Sequence, residues 1–324
     1  MSGEGSRTRS GGAIDLGFPD RLAALVEQRQ SQVVLGLDPD PAVLWPGTEP
    51  TPEHAADGPR SGPEAARLTG IAVAAHCRAV IAAAGPACVA VKLQLACFER
   101  LGVPGWEALA VAVRAGREAG LLVLADGKRG DVPVTARAYA QALVGETPGP
   151  YGPVAGLGVD AFTANPLLGR DALEPLVSAA VEAGAGCFSL VRTSNEGAAD
   201  VQDLPGPRGP IHEELARMVD ELGSGSVGRS GLSAVGAVTG ATHPGVLARL
   251  RELMPRAIFL LPGVGAQGGE VAALAPAFEP HPAAGLVSAS RSIVDAHRTG
   301  GGGPVAAAAA AAEELRVATW ALSS

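Results

Sequence analysis

Apolar and polar positions along this chain follow a repeating order: a short apolar run, a polar break, then a longer stretch with apolar residues every three or four positions. The short runs read as strands buried on both faces of a parallel sheet, and the longer stretches as helices packed over them. After an amphipathic segment at 18–30, the apolar runs fall at 32–37, 88–93, 121–125, 159–164, 186–191, 231–239, 257–261 and 285–289. Helical periodicity fills 63–84, 106–119, 168–183, 210–222, 243–253, a stretch near 270–277, and 305–322. Asp131 is placed to cap one more helix, with Pro133 tolerated in its first turn. Eight strands alternating with helices predict an α/β fold, a (β/α)8 barrel, over one domain at 18–324. A doubly wound open sheet is the main rival. Polar residues close nearly every apolar run, which favours the barrel, because a barrel gathers the C-terminal ends of all its strands around one mouth.

The third run, LLVLADGKRGD at 121–131, stops in a cluster of charges. Side chains alternate along a strand, so Asp126 and Lys128 point the same way, with Asp131 just beyond. Of the 25 basic residues only two are lysine, Lys92 and Lys128, and both close an apolar run. A chain that uses arginine elsewhere and lysine here needs a compact ammonium whose proton can move. Asp38, Ser194, Gln267, Ser290 and Arg291 also fall at or just after strand ends. Gly263, Gly265 and Gly268 spell GxGxxG, but on the seventh strand of eight, without the complete βαβ unit a dinucleotide site requires. The loops after strands seven and eight are instead where barrels commonly hold a phosphate, here with Arg291 as a bidentate partner. A carboxylate and ammonium array facing a phosphate grip suits proton transfer at carbon, or stabilisation of a carbanion.

Composition narrows the choice. The 324 residues are 47% hydrophobic and 18% charged, and the net charge of -8 argues against a nucleic-acid partner. No HExxH or CxxC spacing appears, so a metal site is not expected, and Cys77, Cys88, Cys97 and Cys187 read as reduced core residues. Residues 1–17 read as a disordered polar tail rather than a signal peptide. The most apolar stretch, 70–85, is broken by His76 and Arg78, so no membrane span is expected, and a cytoplasmic location is the simplest expectation. The proline-rich 39–62 stretch and the 197–209 loop carry no assigned role.

Seven motifs in order carry a resemblance: GLDPD at 36–40, VKLQ at 91–94, DGKRGDV at 126–132 with Thr135 downstream, TANPLLG at 163–169, RTSN at 192–195, PGVGAQGG at 262–269 and SRS at 290–292. Together they resemble the orotidine 5'-phosphate decarboxylases, most closely their longer bacterial branch, over about residues 33–293. The resemblance implies a decarboxylase without cofactor or metal, acting on orotidine 5'-phosphate as a homodimer with sites shared across the interface. By motif position, Lys128 would protonate C6 of the pyrimidine and Asp126 would lie against the substrate carboxylate. Lys92 and Asp38 would hold the ribose hydroxyls, and Ser194 would meet the pyrimidine edge. Gln267, Arg291 and the Ser290 backbone would hold the phosphate, while Asp131 and Thr135 would reach into the neighbouring subunit's site. Gly127, Leu93, Glu196 and Ser290 depart from the common pattern without removing a charged group. The rivals are a magnesium-dependent sugar-phosphate decarboxylase or synthase, a Schiff-base aldolase, and a non-catalytic nucleotide-binding barrel.

Overall fold

The computed structural model describes residues 16–49, 61–240, 244–263 and 271–323. Eight parallel strands, β1 (Val33–Leu37), β2 (Ala90–Gln94), β3 (Leu122–Arg129), β4 (Ala161–Ala164), β5 (Gly186–Arg192), β6 (Val235–Thr239), β7 (Phe259–Pro262) and β8 (Gly285–Ala289), close into a barrel. Each strand pairs with its neighbours in sequence, and β1 pairs with β8. The open-sheet alternative is thereby excluded.

The alternation expected of a strand sorts the core into two layers. Val34, Ala90, Leu122, Leu124, Ala161, Phe188, Val238, Leu260 and Leu286 fill the barrel interior. Val33, Leu35, Val91, Val123, Phe162 and Val287 point outward, where the helices cover them. Helix α1 (Phe18–Arg29) plugs the bottom with Phe18, Leu22 and Val26, and Phe18 meets Phe188 edge-on at 5.9 Å. This contact needs Gly186, since a Cβ there would lie 2.6 Å from the Phe18 ring.

Seven further helices wall the barrel: α2 (Gly62–Ala84), α3 (Val103–Glu118), α4 (Pro133–Leu143), α5 (Arg170–Glu182), α6 (Ile211–Gly223), α7 (Pro244–Leu253) and α8 (Pro304–Trp320). The stretch Gly62–Ala87 has the length and apolar composition of a membrane span, but 56% of its most apolar window is buried within the fold, as in a helix that packs over a core. The thiols of Cys77, Cys88 and Cys187 are buried, which pushes each up to about 12 and leaves them protonated.

Several boundaries differ from expectation. The stretch expected as a helix near 270–277 is a 3-10 run, Val271–Phe278, with Pro276 inside it. Proline lacks the N–H an α-helix would use at that point. Asp131 does not cap α4: Val132 stands at the N-cap, and Asp131 Oδ1 accepts the Val132 N–H at 2.7 Å. The 197–209 loop holds structure of its own, a turn at Glu196–Ala198, a helical turn at Ala199–Gln202 and a two-residue pairing of 205–206 with 209–210. Of the expected tail only Leu16 and Gly17 are described, and Pro50 to Arg60 of the proline-rich stretch lie outside the described residues.

Candidate active site

The inward row of β3 runs Leu122, Leu124, Asp126, so the apolar barrel interior ends in a carboxylate at the mouth. On β2 the same row is Ala90, Lys92, Gln94, and the register sets Gln94 beside Asp126. A cavity of about 460 Å³ opens above this layer, lined by Asp38, Lys92, Gln94, Asp126, Lys128 and Thr163 on one side. Thr193, Ser194, Asn195 and Gln202 form the next wall, and Gly263, Ser290 and Arg291 lie on the β7 and β8 side.

Asp126 is the hub. Its Oδ2 accepts from Lys92 Nζ at 2.7 Å and from Gln94 Nε2 at 3.4 Å. Its Oδ1 accepts from Lys128 Nζ at 2.7 Å and from Thr163 Oγ1 at 2.8 Å. Lys92 Nζ also lies 3.9 Å from Asp38. The result is an unbroken alternation, Asp38, Lys92, Asp126, Lys128, and both lysines of the chain converge on one carboxylate. Burial alone would raise the Asp126 pKa, but Lys92 and Lys128 outweigh it and hold it at about 2. Burial likewise works against the Lys92 charge, and Asp126 with Asp38 overcomes it, so its pKa is raised. Both groups of the buried pair are therefore charged at neutral pH.

Lys128 is reached by an irregular backbone. The register of β3 against β4 shifts between Ala125 and Arg129, and Lys128 itself has φ +46°, in the left-handed region that a side chain seldom adopts. The Lys128 N–H donates to Thr163 Oγ1 at 2.9 Å, and that hydroxyl donates onward to Asp126, so Thr163 ties the strained turn to the hub. Arg129 turns away from the cavity, pairing with Glu99 and lying over the Tyr139 ring at 5.5 Å. The charge cluster of the DGKRGD stretch is thus split, with two members inside and two outside.

Asp131 and Thr135 do not line this chain's cavity. They sit on the surface beside the exposed Val132 and Val134, next to the loop bearing the exposed Leu167 and Leu168. Ser290 and Arg291 do line it, and a Cβ at Gly36 would lie 1.9 Å from Ser290 Oγ, so the hydroxyl occupies space that only glycine leaves. Gln267 lies outside the described residues, as do Gly265 and Gly268 of the GxGxxG pattern. Glu196 is exposed and does not itself line the cavity, although it directly follows Asn195, which does. Among the described residues no three His, Cys, Asp or Glu side chains are grouped to hold a metal ion. Sequence reasoning missed Thr163, Gln94 and Gln202; the first two lie inside quoted motifs, but only the strand register shows that they face Asp126.

Comparison with known proteins identifies the family. The model of a family described as orotidine 5'-phosphate decarboxylase / HUMPS matches residues 31–311. The chain is 48% identical over 216 residues to the orotidine 5'-phosphate decarboxylase of Deinococcus radiodurans, covering 66% of this chain and 74% of the relative. It is 38% identical over 302 residues to that of Rhodopirellula baltica, covering 93% and 96%. Among solved structures, the OMP decarboxylase of Leishmania donovani superposes with a TM-score of 0.68 at 29% identity, over 95% of this chain and 99% of that one. With the eight-stranded barrel and the match across most of its length, the chain belongs to the orotidine 5'-phosphate decarboxylase / HUMPS family.

Proposed function

We propose that this chain decarboxylates orotidine 5'-phosphate to uridine 5'-phosphate and carbon dioxide, the step that completes uridine monophosphate synthesis, with Lys128 as the proton donor. The observation that carries the reading is the convergence of both lysines, at 2.7 Å each, on the buried Asp126. In the reaction the bond from C6 to the carboxylate breaks, carbon dioxide leaves, and C6 keeps the electron pair. Lys128 Nζ gives that carbon a proton and is reprotonated from solvent. No oxidant or reductant enters the balance, and the reading requires neither cofactor nor metal.

Asp126 supplies the push. It is charged, and four donors keep it from rotating away when a second carboxylate is bound against it. Two like charges about 4 Å apart at an effective dielectric near 20 repel by roughly 4 kcal/mol, relieved as the substrate carboxylate leaves as neutral carbon dioxide. Lys128 at the same time favours the developing negative charge at C6. Lys92 and Asp38 hold the ribose hydroxyls in this reading, Ser194 the pyrimidine edge, and Ser290, Arg291 and Gln267 the phosphate. The remote phosphate and ribose contacts supply binding energy that can be used at the reacting carbon.

The reading includes a homodimer in which Asp131 and Thr135 complete the neighbouring subunit's site. Its support is the surface that carries them: Val132 is 55% exposed, Val134 79% and Leu167 77%, an apolar rim beside the mouth. The reading places the enzyme in the cytoplasm. Reaction in D2O followed by proton NMR tests the chemistry: uridine 5'-phosphate deuterated at C6 is expected, and product carrying only protium there would remove Lys128 from the donor role. A Val134→Glu variant is expected to sediment at a smaller mass than the wild type and to lose activity; unchanged mass and activity would refute the shared site.

A further inference from the structure

The segment that follows β5 carries no recognisable motif beyond the RTSN turn, yet it is tightly built. Two bonds clasp the Gln202 side chain to the RTSN turn: Thr193 N–H donates to Gln202 Oε1 at 2.8 Å, and Gln202 Nε2 donates to Thr193 Oγ1 at 2.9 Å. Thr193 Oγ1 then donates to Asn195 Oδ1 at 2.7 Å, so the amide orientation of Gln202 is passed along the turn on both sides of Ser194. Thr193, Ser194, Asn195 and Gln202 all line the cavity.

The backbone of Gln202 is held just as firmly. The next residue, Asp203, receives the Arg192 guanidinium in a bidentate pair at 2.8 and 2.9 Å. Arg192 is buried at the end of β5 and also donates to the Thr193 carbonyl at 2.5 Å. His212 Nδ1 lies 2.9 Å from the Gln202 carbonyl and 3.1 Å from Asp203 Oδ1. Both neighbours only accept, so Nδ1 carries the proton and is shared between them. The 196–212 segment therefore loops out of the barrel and returns one amide to the turn bearing Ser194.

We propose that Gln202 is a positioning residue for the base end of the substrate, setting the turn from Thr193 to Asn195 against the pyrimidine while the phosphate end is held independently. The inference rests on the decarboxylase reading, in which Ser194 meets the pyrimidine edge. A Gln202→Met variant keeps the length of the side chain and removes both bonds to Thr193. Gln202→Glu keeps the acceptor for the Thr193 N–H and loses the donor.

The test is competitive inhibition by uridine 5'-phosphate and, separately, by ribose 5-phosphate, which lacks the base. A tenfold loss, about 1.4 kcal/mol, is the scale expected when the turn loses the hydrogen bonds that hold it. Q202M is therefore expected to bind uridine 5'-phosphate about tenfold more weakly and ribose 5-phosphate within twofold of wild type, with KM raised more than kcat is lowered. Q202E is expected to fall between wild type and Q202M. Equal weakening of both ligands would reduce Gln202 to a structural brace and overturn the proposal, as would no weakening of either. A wild-type protein inhibited by ribose 5-phosphate and not by uridine 5'-phosphate would overturn the decarboxylase reading itself.

Discussion

Lys92 at the mouth of the barrel and Arg251 beneath it are both buried cations, and they are neutralised in opposite ways. Lys92 lies among carboxylates, which raise its pKa against the pull of burial. Arg251 has no carboxylate within ion-pair reach among the described residues. Its guanidinium donates instead to the carbonyls of Met254, Pro276, Ala257, Ala277 and Ala284, and lies 3.8 Å from the centre of the Phe259 ring. Burial pushes its pKa down to about 9, still charged at neutral pH. Arg251 pins the segments that enter β7 and β8, while Lys92 belongs to a charge array open to the cavity. One cation serves the fold, and in the proposed reaction the other serves the chemistry as well. The contrast is the general division of a (β/α)8 barrel, with reactivity at the C-terminal ends of the strands and stability at the N-terminal ends.

Three substitutions sharpen that division. Lys128→Ala is expected to have the largest effect, lowering kcat/KM by about 10⁴-fold or more through loss of both the proton donor and its charge. Its Tm should move by only a few degrees, because Lys128 is partly exposed and Asp126 keeps Lys92, Gln94 and Thr163 as partners. Steady-state assays paired with thermal melts check this, and a Tm collapse would mean that Lys128 is structural. Arg251→Met comes next, costing about 3–5 kcal/mol in urea unfolding as buried carbonyls lose their donor. The protein that remains folded should keep the wild-type KM. Lys92→Met is expected to lose a similar amount, since it strips a buried carboxylate of its closest partner, and to abolish activity too. If the Lys92 and Arg251 variants behaved alike in both assays, the division between the two ends of the barrel would fail.

The smallest effect is a pH dependence. The Asp126 pKa is depressed from 3.8 to about 2 in the folded state, so its contribution is fully present above about pH 4 and is lost as pH falls through 2. That shift corresponds to roughly 2 kcal/mol. The stability gap between wild type and Asp126→Asn should narrow by about this amount between pH 5 and pH 2 in urea titrations. A gap that stays constant with pH would show that the lysines do not hold the carboxylate ionised.

The strands were legible because each is buried on both faces, and the barrel followed from their number. Lys92, Asp126 and Lys128 stood out because they end apolar runs and because lysine is so rare in this chain. What stayed hidden depends on contacts between distant residues. That Lys92 and Lys128 share one carboxylate needs the register between β2 and β3. Arg251 resembles any helix-surface arginine until the carbonyl of Ala284, 33 residues away, is brought to it. Asp131 has the residue type and position of a cap, because Asp is a good capping residue, whereas its carboxylate turns onto the adjacent Val132 N–H. The left-handed backbone at Lys128 had no sequence signal, since glycine is the residue that usually marks such a position.

The central claim is that the array centred on Asp126 and Lys128 removes carbon dioxide from orotidine 5'-phosphate without a metal. The measurement is the absorbance of orotidine 5'-phosphate over time with purified protein in EDTA, wild type beside Lys128→Ala. Loss of substrate by the wild type, absent in the variant although it still binds uridine 5'-phosphate, is the predicted result. No turnover by folded wild-type protein, or equal turnover by the variant, would contradict it.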